Sequence, residues 1–129
     1  MDGDERKKIL IVDDDPDLLA MLKCRLEDEY DIILATDGDE AMEAIKAEKP
    51  HAVILDLVME NTGGLDVLKA IRKTSKQLPV FILTAFSDPE RFRQSNKLGA
   101  SGFIVKTANL DKELRCIHSV LGMSGNYRK

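Results

Sequence analysis

The sequence predicts an α/β fold: a doubly wound parallel sheet of five strands, with five helices distributed over its two faces. Three observations predict it. Short apolar runs of strand length recur along the 129 residues, they lack the in-out alternation of a half-exposed sheet, and segments with helical period separate them. Each crossover is long enough for a right-handed βαβ unit, which sets helices on both faces of one sheet.

The first run, Ile9 to Val12, precedes Asp15-Pro16, an N-cap acid before a proline at the first helical position. Leu18, Leu22 and Leu26 follow on one helical stripe. Ile32 to Ala35 is the second strand, and Asp37 and Glu40 stand at capping-box spacing ahead of Ala41 and Ile45. Ala52 to Leu55 is the third, with Leu65, Leu68 and Ile71 striping its helix. Val80 to Leu83 is the fourth, followed by the Asp88-Pro89 cap and a helix that stops at Gly99. Phe103 to Val105, the weakest run, precedes the stripe Leu110, Leu114, Ile117 and Leu121, with Gly122 as its stop. One domain over residues 8–122 uses the whole pattern and leaves polar, flexible ends at 1–7 and 123–129.

Composition narrows the function. With 43% hydrophobic and 33% charged residues, a chain of this size builds a core that needs neither disulfide nor structural metal. A net charge of −4 weighs against a surface that grips nucleic acid directly. No apolar run approaches the length of a membrane span and no signal peptide is visible, so a cytoplasmic protein without membrane contact is expected. Cys24 and Cys116 lack metal-ligand spacing and read as reduced thiols in the core or half-buried. His51 and His118 read as structural or solvated.

Parallel strands deliver their carboxyl ends to one edge, where doubly wound folds bind ligands. There the sequence sets Asp13-Asp14-Asp15 after the first strand, Asp56 after the third, Thr84 after the fourth and Lys106 after the fifth. Three converging acids repel one another unless a cation neutralises them. All-oxygen ligation selects a hard ion, and few protein ligands with several retained waters favour Mg²⁺. With Mg²⁺ and the Lys106 ammonium balancing charge, Asp56 can be the covalent acceptor of a phosphoryl group and Thr84 can hydrogen-bond one of its oxygens. No histidine or cysteine stands at a strand end, which disfavours general-base hydrolysis and thiol chemistry.

In their order and spacing, Ile9-Leu10-Ile11-Val12-Asp13-Asp14-Asp15, Val53-Ile54-Leu55-Asp56-Leu57, Phe81-Ile82-Leu83-Thr84-Ala85 and Gly102-Phe103-Ile104-Val105-Lys106 resemble the receiver domain of two-component response regulators. The resemblance covers nearly the whole chain. It implies a flavodoxin-like sheet of order 2-1-3-4-5. It also implies Asp56 as phosphoacceptor, with Mg²⁺ held by Asp14, Asp56 and the backbone carbonyl of Val58, Asp13 acting mainly through water, and Thr84 and Lys106 holding the phosphoryl group. Such a chain is a signalling domain rather than an enzyme, with intrinsic self-phosphorylation and slow self-dephosphorylation. Its implied phosphodonor is a phosphohistidine on a sensor histidine kinase or a histidine phosphotransfer protein. Its implied output is a downstream protein target or a homodimer formed on phosphorylation. In the implied switch Thr84 is drawn inward and Phe103 swings into the space; the plainer reading of Phe103 is an ordinary core aromatic. Arg91, Arg93, Lys97, Lys112 and Arg115 would line the switching face, or are ordinary solvated helix charges.

Two departures from the family pattern, and two positions that vary within it, bear on the site. Lys106 is followed by Thr107 where the family has a cis proline, so either Thr107 is held cis or the peptide is trans and Lys106 aims differently. After Asp56, Met59-Glu60-Asn61-Thr62-Gly63-Gly64 replaces a Met-Pro turn, and the two permissive glycines predict a more mobile loop. Val58 and Phe86, at the positions that govern water access, are apolar and predict slow loss of the phosphoryl group. Three competing readings remain at this level. A degenerate receiver would keep the fold as a protein-binding module. A haloacid-dehalogenase-type phosphatase would use Asp13 as nucleophile with Asp15 two residues on. A flavodoxin-type cofactor domain would have to seat phosphate against the acids after the first strand.

Overall fold

The computed structural model describes residues 7–57, 64–84 and 89–105. Five parallel strands, β1 (Lys8–Val12), β2 (Asp31–Ala35), β3 (Ala52–Asp56), β4 (Val80–Thr84) and β5 (Gly102–Val105), pair in the order β2-β1-β3-β4-β5. The described residues also hold four helices: α1 (Pro16–Leu26), α2 (Gly38–Glu48), α3 (Gly64–Thr74) and α4 (Pro89–Lys97). The predicted fifth helix, Leu110 to Leu121, lies outside the described residues, together with Cys116, His118, Gly122 and both chain ends.

Alternate strand residues face opposite sides of the sheet. On one side Ile9, Ile11, Ala52, Ile54, Phe81 and Leu83 pack with Leu19, Leu22 and Leu26 of α1. On the other, Leu10, Val12, Val53, Leu55, Val80 and Ile82 pack with Ala41 of α2 and with Val67, Leu68 and Ile71 of α3. Burial of each such Leu or Ile stabilises the fold by about 1.5–3 kcal/mol, which is why the unalternating runs become central strands.

The edge strand departs from that expectation. Ile32 and Ile33 of β2 are half-buried and Leu34 is 40% exposed. Among the described residues β2 has a neighbouring strand on one side only, and an apolar run alone does not distinguish edge from centre. Cys24 is a second correction: it is a free thiol exposed on α1, not in the core. The helical stripes also sit slightly differently. Leu19 is buried where Leu18 is half-buried, and Val67 is buried where Leu65 is half-buried.

The helix boundaries follow local chemistry. Asp15 caps α1 by accepting from the N–H groups of Asp17 (3.0 Å) and Leu18 (3.4 Å). Asp37 accepts from the N–H of Glu40 at 2.8 Å, while the Glu40 carboxylate reaches back to the Thr36 N–H (2.7 Å) and hydroxyl (2.9 Å), one residue earlier than a reciprocal capping box. After α4, Gly99 adopts φ 93°, donates to Asn96 O at 3.1 Å, and Ala100 donates to Ser95 O at 3.0 Å, a Schellman closure. Arg72 secures that corner from α3: its Nε (3.0 Å) and Nη2 (2.7 Å) donate to Gly99 O and its Nη1 to Ser75 O at 3.1 Å. Partial burial there lowers the Arg72 pKa from the ordinary arginine value. Among the described residues no helix is long and apolar enough to cross a membrane.

Candidate metal centre at the carboxyl end of the sheet

Strand register builds the site. Val12 lies opposite Leu55, so Asp13, the next residue, comes level with Asp56, the last residue of β3. Both backbones are held by continuing ladder bonds, Asp13 N–H to Ala35 O at 3.1 Å and Leu57 N–H to Leu83 O at 3.4 Å. Asp13 is fully buried, Asp56 is 4% exposed, and Asp14 is exposed. One carboxylate oxygen from each of the three lies within 4.8 Å of the others. The Asp15 N–H donates to Asp13 Oδ1 at 3.0 Å and orients that carboxylate.

Of the three acids after β1, then, Asp13 and Asp14 join Asp56 and Asp15 does not. The Asp15 side chain caps α1, which removes the second acid that the phosphatase reading required. Removing carboxylates from water is costly, and crowding like charges adds to the cost. A cation relieves both. The donor set fits one: it is all oxygen, it supplies few protein ligands, and the exposed Asp14 leaves a path from solvent, properties that suit a small hard divalent ion better than zinc. Among the described residues no other group of three His, Cys, Asp or Glu side chains comes this close.

The remaining predicted positions are placed in part. Thr84 ends β4 at this edge, and its register partner Val105 is the last residue of β5. Lys106, Thr107, Val58, Glu60, Gly63, Phe86, Lys112 and Arg115 lie outside the described residues. Phe103 is half-buried in β5, opposite Ile82, and packs against the core under α2 and α3. Arg93 is exposed and pairs with Glu90 at 3.0 Å, and Lys97 is exposed, as solvated helix charges are. His51 lies at the opposite end of the sheet, where its Nδ1 accepts from the Lys8 N–H at 2.9 Å.

One residue near the site was not singled out for it by sequence reasoning. Gly64, read there as a flexible loop glycine, is the buried first residue of α3, and its N–H donates to Leu57 O at 3.1 Å. A Cβ at this position would overlap the Asp56 carbonyl oxygen and come within 2.5 Å of Leu57 Cα. The residue type was visible in the sequence, but its tertiary contact was not.

Comparison with known proteins bears on the family and the fold. The family model described as response regulator receiver domain matches residues 9–117. The "Probable transcriptional regulator ycf27" of Porphyridium aerugineum is 40% identical over 119 residues, 91% of this chain and 49% of its own length. The alkaline phosphatase synthesis transcriptional regulatory protein PhoP of Bacillus subtilis is 35% identical over 78% of this chain and 42% of its own. The DNA-binding response regulator MtrA of Mycolicibacterium smegmatis is 35% identical over 78% and 44%. The chain thus spans about half the length of the curated relatives it matches. Among solved structures, the Vibrio cholerae chemotaxis protein CheY4 superposes with a TM-score of 0.84 at 30% identity, covering 89% of this chain and 98% of that one. NtrX from Brucella abortus gives 0.86 at 29% identity over 95% of this chain and 28% of its own.

Proposed function

The chain belongs to the response regulator receiver family, and from that premise we propose that it carries signal as a transient phosphoryl group on Asp56. The observation that supports this reading is the gathering of Asp13, Asp14 and Asp56 at one strand edge, two of them buried. A buried carboxylate is a poor nucleophile toward an anion unless nearby charge is balanced. Asp13, Asp14 and Asp56, with the Val58 carbonyl, would hold Mg²⁺, which when bound supplies positive charge against the acids and the incoming phosphoryl oxygens.

Asp56 is the nucleophile. Its carboxylate oxygen attacks phosphorus, the phosphorus–nitrogen bond of a donor phosphohistidine breaks, and the imidazole leaves with that electron pair and takes up a proton. The donor is a sensor histidine kinase or a histidine phosphotransfer protein. Lys106 pairs with the transferred group and Thr84 hydrogen-bonds it, drawing the β4 end inward and letting Phe103 repack. Water later cleaves the acyl phosphate, slowly, because Val58 and Phe86 offer it no polar side chain. The output passes to a protein target or to a second copy of the chain. DNA binding belongs to the name of the longer relative MtrA, and the expectation of no direct nucleic-acid contact here rests on net charge alone.

Beryllofluoride, a phosphoryl mimic, tests the reading. Its ¹⁹F resonance should show a bound species only when Mg²⁺ is present, and Asp56→Asn should abolish it. Absence of any bound species in the unsubstituted chain would favour the protein-binding module that never takes phosphate.

A further inference from the structure

We infer that Gly64 is a positioning residue for the acidic site: its missing Cβ lets the start of α3 close directly on the Asp56–Leu57 backbone, and that closure sets where the Asp56 carboxylate stands. The inference rests on the proposed Mg²⁺ site and adds a determinant to it. Gly64 is far from the metal-facing chemistry in kind, since it has no side chain to offer. It is close in space. The Asp56 carbonyl oxygen and Leu57 Cα occupy the volume a Cβ at residue 64 would need, and both are backbone atoms that cannot rotate aside. The Gly64 N–H bond to Leu57 O, 3.1 Å, fastens the two ends of the intervening loop.

A side chain at residue 64 would force either α3 or the end of β3 to move. Both are anchored along their length: β3 pairs with β1 and β4 and is buried through Leu57, and α3 buries three side chains. Val67 is 2% exposed and Leu68 and Ile71 are fully buried in the core on that face. Close-packed cores resist displacement of either element as a whole, so the overlap is relieved at the two ends that meet, the first turn of α3 and Asp56, the last residue of its strand. Asp56 must keep its carboxylate within 4.8 Å of those of Asp13 and Asp14. Magnesium demands near-ideal octahedral geometry at about 2.0–2.1 Å, so a small displacement of one ligand is felt directly as lost affinity.

The test compares Mg²⁺ dissociation constants by calorimetry, with magnesium chloride alone as the probe, for the unsubstituted chain, Gly64→Ala, Gly99→Ala and Gly64→Ala/Val67→Ala. Gly99→Ala introduces a Cβ at φ 93°, beside Arg72 and on the turn after α4, and serves as a control for general destabilisation. Gly64→Ala should weaken Mg²⁺ binding by about tenfold or more while Gly99→Ala stays within about twofold. The double variant frees α3 to yield in place of Asp56 and should recover affinity while losing further thermal stability, a pairing that a purely structural role would not produce. Sucrose at about 1 M keeps weakened variants folded for the measurement. Equal Mg²⁺ affinity in folded Gly64→Ala and the unsubstituted chain overturns the inference and leaves the site reading intact. A Gly64→Ala chain that stays unfolded in sucrose also overturns it, assigning the residue to folding alone. No Mg²⁺ binding by the unsubstituted chain overturns the site reading and this inference together.

Discussion

The two ends of the sheet are built from the same strands and treat polar groups in opposite ways. At the amino end, His51 Nδ1 accepts the Lys8 N–H, the His51 N–H donates to Lys8 O at 2.8 Å, and Lys8 Nζ lies 3.4 Å from a Glu48 carboxylate oxygen. Donors meet acceptors there and opposite charges meet each other. At the carboxyl end, three carboxylates share one corner, two of them buried. Carboxylates gathered at one end of the strands and not at the other are what the proposed Mg²⁺ site requires, since a bound cation would offset the cost of crowding them.

The contrast is sharpest at the acids. Asp14→Ala should weaken Mg²⁺ binding by about 100-fold or more, since even the loss of a partner behind a ligand costs about 10–100-fold, and calorimetric titration measures it. Asp13→Asn should act with opposite signs in two conditions. Without Mg²⁺ it relieves repulsion among neighbouring carboxylates and should raise unfolding stability by on the order of 1 kcal/mol. With Mg²⁺ at about 100 times the dissociation constant, the unsubstituted chain gains about 2.7 kcal/mol by mass action and the variant gains less. Urea unfolding with and without Mg²⁺ reads both. A variant less stable in both conditions would erase the distinction between the two ends.

At the amino end, His51→Ala should cost about 1 kcal/mol, the net worth of a hydrogen bond to the Lys8 N–H, and leave the Mg²⁺ dissociation constant within about twofold. A large change in Mg²⁺ affinity would show the ends to be coupled. The smallest effect concerns alkaline pH. Burial, and secondarily the Glu29 charge, raise the Tyr30 phenol above its ordinary value in the folded chain. A raised folded pKa means that the folded chain holds its proton longer than the unfolded one. Its contribution to stability is therefore complete below about pH 10 and lost as the pH climbs from there through the folded value. Tyr30→Phe should flatten that part of the alkaline decline in thermal midpoint relative to the unsubstituted chain.

Much of this was legible in the sequence because parallel α/β folds convert pattern into place. Ile9 to Val12 and Ala52 to Leu55 were legible as strands of one parallel sheet, and the residues just beyond them as standing on one edge, while the neighbouring of β1 and β3 that sets Asp13 level with Asp56 came with the resemblance to the receiver family's strand order. Asp15-Pro16 and Gly99 marked helix ends by local chemistry alone. Contacts decided by tertiary packing were not legible. Leu34 has the same character as its central-strand counterparts but sits on the edge strand. Cys24 falls on the outer side of α1. Gly64 reads as loop freedom until the Asp56 backbone is seen against it, and Arg72 reads as a surface charge until Gly99 O is seen beneath its guanidinium.

The proposed signalling role depends on transfer of a phosphoryl group to Asp56 in a metal-assisted acidic corner. Intact-protein mass spectrometry after incubation with acetyl phosphate tests it most directly. A species about 80 Da heavier, one phosphoryl group, should form with Mg²⁺, be lost on chelation before donor addition, and be absent in Asp56→Asn. An adduct of equal yield in Asp56→Asn, or no adduct in the unsubstituted chain with Mg²⁺ and donor in excess, would contradict it.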